Sequence, residues 1–405
     1  MSSGEVTSSS STVGVRTGSG YEIQRSQAGR IVTPLLLFCL LTTALCGMAS
    51  AIEEEYAPVW ALGANSPVNS VAITHDGSLI VASAGSRVYL LDQQGNILWQ
   101  NAVGACVNAV GISPEGSRIG VAADKLYLYD RKGNLLWTER TTFVYHSVDL
   151  SSDGMYVAAG CDNGAVYIFD RNKKQLWDYD MGTDSYDLAI SENGRRIAIG
   201  CENQGVYLLN SRQGESWSYG TGKPVKGIAL TPDGRYVAAG SIDRCLYLST
   251  GEGEHLWKYP VGDAVLSTAL TNEADRVFAA AGTAIHVFDH TGAAVQKIGL
   301  VGRAESVAVT PDGSFLVVGG GEGDRSIRLF TNDPDQVEVW NPVEDAGGEV
   351  PAGVTVPPTP ESGVDVVVDA NAGAPEDDLP IFSRLFGWLE NIISLLIEPR
   401  EDFLA

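Results

Sequence analysis

The residues of this chain that could support catalysis or metal binding are few and scattered. Its five histidines stand at no spacing typical of metal ligands: His75, His146, His255, His286 and His290. The stretch "NDPDQVEV" could offer Asp333 and Asp335 to calcium, but a solvated turn explains it better. The glycine-rich "GGGEGDR" at 319–325 precedes no helix, which indicates an inter-strand loop. We therefore expect no catalytic residues, no cofactor and no metal.

The six cysteines predict no disulfide framework. Cys161 and Cys201 occupy the same position in adjacent copies of a repeat, 40 residues apart. Equivalent positions in adjacent packed sheets lie about 10 Å apart, beyond the roughly 7 Å Cα separation that a disulfide allows. We interpret these cysteines as small buried apolar side chains.

The charge of the chain excludes one class of partner. The formal net charge is −23, and residues 341–405 alone hold 13 acidic and 2 basic side chains. Binding to nucleic acid through its phosphates needs a basic face. We therefore expect no nucleic-acid partner.

An uncharged apolar segment at 31–52 predicts export. Arg16, Arg25 and Arg30 precede it within a polar N-terminal tail, residues 1–30, and three glutamates follow it at 53–55. Basic before and acidic after is the arrangement that keeps the N-terminus inside and translocates the rest. The Ala-Ser-Ala run at 49–51 fits a cleavage site, so the segment is either a removed signal peptide or a retained signal-anchor helix. Both place the remaining chain outside the cytoplasm, at the cell membrane or surface.

A repeat of about 40 residues dominates the chain. Tryptophans recur at intervals of 38, 40, 40 and 40 in one series: Trp99, Trp137, Trp177, Trp217 and Trp257. Seven segments such as "VKGIALTPDGRYVAAG" contain two alternating apolar runs split by a turn, and further runs such as "RVYLLD" and "NILWQ" follow. Four short strands in a repeat of this length are typical of a β-propeller blade. We predict an all-β fold over 56–340, a seven-bladed β-propeller of four-stranded antiparallel blades.

The position of Trp60 predicts how the ring closes. Each fourth-strand Trp precedes the next first strand by eight residues, and Trp60 precedes Val68 by the same number without a third strand before it. The N-terminal "YAPVWALG" should therefore supply the outer strand of the last blade, which leaves no free sheet edge. We expect the Trp side chains to be buried between blades and the interface at Gln296, which replaces the seventh Trp, to be the weakest. The Asp that ends several third strands should cap the following turn: Asp92, Asp130, Asp170 and Asp289.

Two repeat families are similar to these segments. "SVAITHDGSLIVASAG" and "GIALTPDGRYVAAGSID" resemble WD40-type repeats, and "LLDQQGNILWQ" and "LYDRKGNLLWTE" resemble the outer turn of quinoprotein (PQQ-like) propellers. The Gly-His and terminal Trp-Asp pairs of WD40 repeats are missing, as are the adjacent cysteine pair and eighth blade of quinoprotein dehydrogenases. The resemblance implies a propeller fold and favours the noncatalytic envelope members over the enzymes.

The C-terminal region divides into two segments. Residues 341–378 are acidic and rich in Pro, Gly and Val, which predicts a disordered linker. Within 379–398, apolar residues recur at helical spacing, as in Phe382, Leu385 and Leu389. This pattern predicts an amphipathic helix, and its stripe over 381–397 could lie on a membrane or pair with another helix.

One position in the repeats predicts a binding surface. The residues that follow the second position of each first strand are uniformly small and then apolar. The second position itself varies among the blades: Asn69, Asn108, His146, Tyr186, Lys226, Leu266 and Glu305. We expect the polar members to form a wet rim at one mouth of the central channel, together with charged loops that follow the second strands.

These patterns favour a noncatalytic, exported or membrane-anchored propeller that acts as a scaffold for an unidentified protein or surface ligand. Two alternatives remain open. One is an enzyme or cofactor-binding propeller of the PQQ type, and the other is a purely structural envelope protein.

Overall fold

A computed structural model describes residues 56–333 and residue 335. In this part of the chain the regular structure is β-strand, apart from one 3-10 turn at Ser152–Gly154. The described residues contain no helix with the length and apolarity needed to cross a membrane. The segments predicted at 1–30, 31–52, 341–378 and 379–398 lie outside the described residues.

Within residues 56–333, twenty-eight strands form seven four-stranded antiparallel sheets, which are the seven predicted blades. Blade 1 contains β2 (Val68–Ile73), β3 (Leu79–Ala84), β4 (Arg87–Asp92) and β5 (Ile97–Ala102). Blade 2 contains β6 (Ala109–Ile112), β7 (Arg118–Ala122), β8 (Leu126–Asp130) and β9 (Leu135–Glu139). Blade 3 contains β10 (Tyr145–Leu150), β11 (Tyr156–Cys161), β12 (Ala165–Asp170) and β13 (Gln175–Asp180). Blade 4 contains β14 (Ser185–Ile190), β15 (Arg196–Cys201), β16 (Gly205–Asn210) and β17 (Gly214–Gly220).

The remaining three blades follow the same order from the channel outward. Blade 5 contains β18 (Val225–Leu230), β19 (Tyr236–Ser241), β20 (Cys245–Thr250) and β21 (His255–Pro260). Blade 6 contains β22 (Val265–Leu270), β23 (Arg276–Ala281), β24 (Ala284–Asp289) and β25 (Ala294–Gly299). Blade 7 contains β26 (Ala304–Val309), β27 (Phe315–Gly320), β28 (Ser326–Thr331) and, from the N-terminal side, β1 (Ala57–Gly63).

Burial changes along each blade as the sequence pattern predicts. The second strand is buried on both faces, as in β3 with "LIVASA", because the neighbouring blades pack against it. The fourth strand alternates exposed and half-buried residues, as in β13 with "QLWDYD", because it is the outer edge. The first strands of successive blades contact each other around the ring and line the channel.

One strand begins later than predicted. The first strand of blade 2 begins at Ala109 rather than Val107. The turn between β7 and β8 has three residues, 123–125, where the turn between β3 and β4 of blade 1 has two, and Ala123 donates its backbone N–H to Lys125 O within it. Ala123 therefore does not pair with Val107 as Ala84 pairs with Val68 in blade 1.

The predicted closure of the ring is confirmed. Strand β1 pairs antiparallel with β28, so blade 7 contains strands from both ends of the propeller. Trp60 is 8% exposed and Tyr56 is 5% exposed. The side-chain amide of Gln296 accepts a hydrogen bond from Tyr56 N at 2.9 Å and donates one to Tyr56 O at 3.2 Å. The ring of Tyr56 also meets Phe278 edge-on at 5.5 Å, and the weakness of the interface at Gln296 stays a prediction.

The outer-strand tryptophans join neighbouring blades by hydrogen bonds. In five cases the indole Nε1–H donates to the carbonyl of the second turn residue of the next blade: Trp60 to Gln93, Trp99 to Arg131, Trp137 to Arg171, Trp217 to Gly251 and Trp257 to His290. These donor–acceptor distances are 2.8 to 3.0 Å. The prediction of fully buried rings is confirmed at Trp60 alone, since the other outer-strand tryptophans are half-buried and cover the turn from outside.

The aspartates at the ends of third strands cap the turns as predicted. Asp130 Oδ1 accepts hydrogen bonds from the backbone N–H groups of Lys132 and Asn134, both at 2.9 Å. Asp289 makes the equivalent pair in blade 6 with Thr291 and Ala293. A hydrogen bond from the Asn134 side chain is the main cause that lowers the pKa of Asp130. Cys161 and Cys201 are also as expected, with buried free thiols, whereas Cys106 is exposed.

Candidate functional site at the channel mouth

A β-bulge positions most of the predicted rim residues. In six of the seven first strands the register of pairing shifts between the first and third residues, as between Val68 and Ser70 or between Tyr145 and Ser147. The second residue is thus the extra residue of the bulge, and bulges redirect a side chain away from the packed faces. All seven second residues are half-buried, whereas their neighbours at the first position are buried. The bulge explains why this position tolerates polar side chains.

Two rim residues are used to join blades. Asn69 Nδ2 donates to Val107 O of blade 2 at 2.9 Å. Asn108 Nδ2 donates in the same way to Tyr145 O of blade 3 at 2.8 Å. These amides satisfy backbone carbonyls at the channel mouth, so their amino groups are engaged within the protein.

Three other rim residues form a continuous group, which we call the mouth cluster: His146, Tyr186 and Lys226. The rings of His146 and Tyr186 meet edge-on with centroids 6.1 Å apart. Lys226 Nζ lies 3.1 Å from the centroid of the Tyr186 ring, a cation–π contact. The cluster therefore extends across blades 3, 4 and 5.

The electrostatics of the mouth cluster combine partial burial with nearby acids. Burial lowers the pKa of Lys226, and the carboxylates of Glu202 and Asp184 act in the opposite direction. Burial also raises the pKa of the Tyr186 phenol, and the same two carboxylates add to that shift. The cluster thus presents a cation on an aromatic face beside two acidic groups, an arrangement suited to polar and aromatic side chains of a partner.

The last two rim residues lie apart from the cluster. Leu266 contributes an apolar side chain from blade 6. Glu305 of blade 7 forms an ion pair with Arg303 at 3.3 Å. Partial burial raises the pKa of Glu305, and the charge of Arg303 opposes this shift. The structure therefore groups the predicted rim into two bridging amides, one cluster and one ion pair.

Two carboxylates inside the channel were missed by the sequence analysis. A cavity of about 260 Å³, bordered by the first strands of all seven blades, contains Asp149 and Asp187. Asp149 accepts hydrogen bonds from the backbone N–H groups of Leu150 and Ile190, at 2.8 and 2.9 Å. Asp187 accepts the equivalent pair from Leu188 and Ile228, at 2.9 and 2.8 Å.

Each of these carboxylates joins its blade to the next one. Blades 1, 6 and 7 place a serine at the third position of the first strand, and its Oγ accepts a hydrogen bond from the next blade, as Ser70 does from Val110 N at 3.1 Å. Asp187 occupies this position in blade 4. Asp149 stands at the fifth position, where the other blades have Ala or Gly. These departures from the repeat were the available sequence signal.

Enclosure by the ring changes the acidity of both groups. Burial raises the pKa of Asp149 to about 6. It raises the pKa of Asp187 to about 7, and the charge of Asp149 adds to that shift. Within the described residues, no three His, Cys, Asp or Glu side chains converge to hold a metal ion.

Comparisons with known proteins agree with this architecture. A family model of PQQ-type repeats, described as outer membrane protein assembly factor BamB, matches residues 48–199. A model described as WD domain, G-beta repeat matches residues 216–248 and 283–331. No curated protein matches the chain. The matched repeats and the seven closed blades together show that the chain is a WD40-like and PQQ-like β-propeller.

Proposed function

We propose that this propeller is a noncatalytic scaffold that binds a partner protein or surface ligand at the mouth cluster. The observation that supports the proposal is the contact of His146, Tyr186 and Lys226 across three blades. Each of them stands at a β-bulge, where the packing of the blades does not constrain the type of side chain. The similarity to a family described as an assembly factor and to WD repeats also favours a role in protein interaction.

The proposal includes a location outside the cytoplasm. The charge pattern around 31–52 supports export, and the family described as an outer membrane protein assembly factor is in keeping with an envelope protein. The membrane would be reached through 31–52 and, as a second contact, through the stripe at 381–397. Fractionation of cells that produce the full chain, with protease added to intact cells or spheroplasts, tests this. A propeller recovered in the cytoplasmic fraction would contradict the location.

Photo-crosslinking tests the binding surface. A photoreactive residue at position 226 should crosslink a specific partner in cells that express the protein. The matched control places the same residue at position 75, because His75 follows the end of the first strand of blade 1, whereas Lys226 lies at the start of the first strand of blade 5. Crosslinks of equal strength and identity from both ends would show that the mouth cluster is not the binding surface.

Substitution of the mouth residues provides a second test. Changing Tyr186, Lys226 and Glu305 together to Ala should abolish the crosslink at a neighbouring mouth position, such as 146. Thermal unfolding should change little, because substitutions at surface positions usually alter stability by about 0.5 kcal/mol or less. Unimpaired crosslinking in the triple variant would place the site elsewhere.

The two alternative functions predict different results. A PQQ-type enzyme should show a clear rise in melting temperature when PQQ and calcium are added. A purely structural protein should show no saturable partner. Either result would replace the scaffold proposal.

A further inference from the structure

Most interfaces between blades are joined at the outer edge by a hydrogen bond from a side chain of one blade to the backbone of the next. At five interfaces an outer-strand Trp donates to the next blade's turn, and at the interface of blades 6 and 7 Gln296 binds the backbone of Tyr56 instead. Trp177 of blade 3 differs, because its Nε1–H donates to no residue among 56–333 and 335. The interface of blades 3 and 4 is therefore left open where the others are closed.

The turn of blade 4 explains the open interface. In blades 1, 2, 3, 5 and 6 the fourth residue of this turn has a positive φ, such as 81° at Gly133. In blade 4 that residue is Gln213, and the positive φ passes to Gly214 at 87°. A Cβ at Gly133 would lie 2.9 Å from the Trp99 ring, whereas one at Gly214 would meet only Tyr179, at 3.5 Å. The displaced turn does not bring its carbonyl to Trp177.

A pocket of about 320 Å³ occupies the open interface. Its apolar wall comes from blade 3 and contains Tyr156, Ile168, Leu176 and Trp177. Leu176 is 43% exposed. The volume is within the range of pockets that bind small ligands or a few side chains of a peptide. The interface thus offers an apolar surface and an unused indole donor.

The opposite wall of the pocket is basic. Arg195 and Arg212 come from blade 4, both are exposed, and neither forms an ion pair with a described residue. The lining residues include no Asp or Glu. Two guanidinium groups without an ion-pair partner among the described residues therefore lie beside the indole of Trp177, in a chain of net charge −23. Guanidinium groups bind carboxylates by paired hydrogen bonds, and Trp, Tyr and Arg are the residues most enriched at binding hot spots.

We propose that this pocket, independently of the mouth cluster, binds an acidic peptide segment of a partner protein. An apolar side chain of the segment enters between Tyr156 and Trp177. Its flanking carboxylates pair with Arg195 and Arg212 and accept the indole N–H of Trp177. The basic wall is complementary in charge to the carboxylates of the segment, and the apolar wall to its apolar side chain. The pocket therefore selects an acidic and apolar segment over a neutral or basic one.

Fluorescence anisotropy with the full chain tests the proposal. The probe is a labelled peptide in which Leu alternates with Asp, and the matched peptide has Asn in place of Asp. We expect saturable binding of the acidic peptide, weakened by added salt, and at least tenfold weaker binding of the Asn peptide. The pair R195Q and R212Q should reduce affinity for the acidic peptide by about tenfold or more.

The matched control for charge is the pair R131Q and K132Q. These side chains are exposed on the turn of blade 2 that is equivalent to the turn of Arg212, where Trp99 closes the interface, and their loss changes the net charge by the same amount. This control should retain the affinity of the unaltered protein. An equal loss in both pairs would show that the peptide senses only overall charge, which would overturn the site.

A direct readout comes from the indole resonance of Trp177. Its Nε1–H signal, assigned by its disappearance in W177F, should shift on addition of the acidic peptide, while the signal of Trp99 stays fixed. An unchanged Trp177 signal at saturation would refute the proposal. So would acetate acting as strongly as the peptide, since a simple carboxylate would then be sufficient. Self-association that depends on Arg195 and Arg212, without peptide binding, would identify a second copy of the chain as the occupant and would also refute it.

Discussion

At the scale of the residue, the two channel aspartates are the groups whose protonation differs most clearly from that of an unfolded chain. The folded-state pKa is about 6 for Asp149 and about 7 for Asp187, above the ordinary 3.8. The folded protein therefore holds protons that the unfolded chain has already released. The resulting stabilisation is full below about pH 4 and is lost as the pH rises through 6 and 7.

The substitution Asp187→Ser tests this linkage. Serine occupies the same position in blades 1, 3, 6 and 7, and in blades 1, 6 and 7 its hydroxyl accepts the interblade hydrogen bond. As the pH rises from 5 to 8, the free energy of unfolding should fall less in the variant than in the unaltered protein. The difference between the two losses should be on the order of 2 kcal/mol. Melting temperatures across that pH range measure the difference. Parallel pH profiles for the two proteins would contradict the raised pKa.

A surface aspartate supplies the control of opposite sign. Hydrogen bonds lower the pKa of Asp130, so its contribution to stability is present at neutral pH and is lost as the pH falls. The substitution Asp130→Asn should therefore leave the slope between pH 5 and pH 8 unchanged.

At the scale of the element, five of the seven blades are joined at the outer edge to the next blade by the contact between a Trp and a turn. The indole of Trp99 lies on Gly133 and donates to Arg131 O at 3.0 Å. The absence of a Cβ at that glycine allows the close approach, because a Cβ would stand 2.9 Å from the ring. Trp177 has neither a glycine beneath it nor an acceptor among the described residues.

The substitutions Trp99→Phe and Trp177→Phe should separate these two situations. The first removes an interblade hydrogen bond and should lower the free energy of unfolding by about 1 kcal/mol. The second removes no such bond and should change it by a few tenths of a kcal/mol at most. Urea denaturation of both variants measures the contrast. Equal losses would show that ring packing, rather than the N–H donor, is the stabilising contribution.

At the scale of the whole molecule, the closed ring depends on residues that precede the first complete blade. Strand β1 completes blade 7, and Tyr56 and Trp60 bury their rings against blades 6, 7 and 1. Without them β28 would become an unpaired outer edge, and unpaired edges also favour aggregation.

A chain that begins at Val68 tests this closure. Loss of even one large buried aromatic side chain costs roughly 3–5 kcal/mol, and this change removes two. Its melting temperature should therefore fall by roughly 10 °C relative to a chain that begins at Glu53. Trp60→Ala in the longer chain separates the side chain from the strand, and it should lower the melting temperature less than the deletion does. Identical melting of the two chain lengths would contradict the closure.

The sequence by itself determined the repeat, the number of blades, the closing strand, the capping aspartates and the ring of variable second residues. These features follow from local rules, since strand alternation, turn chemistry and the spacing between repeats act within a few residues or recur at a constant period. The polar character of the second residue belongs to the same class, because the loss of apolar character at one position in an apolar strand is visible in the repeat, whereas the bulge that positions this residue was seen only in the structure.

Only the tertiary structure decided how successive blades meet. The raised pKa values of Asp149 and Asp187 depend on enclosure by seven strands, and the open pocket at Trp177 depends on a displaced turn in the next blade. The contact of Gln296 with Tyr56 joins residues 240 positions apart. Each of these features depends on the positions of atoms in a neighbouring blade. The periodic pattern of a single repeat carries no information about those positions.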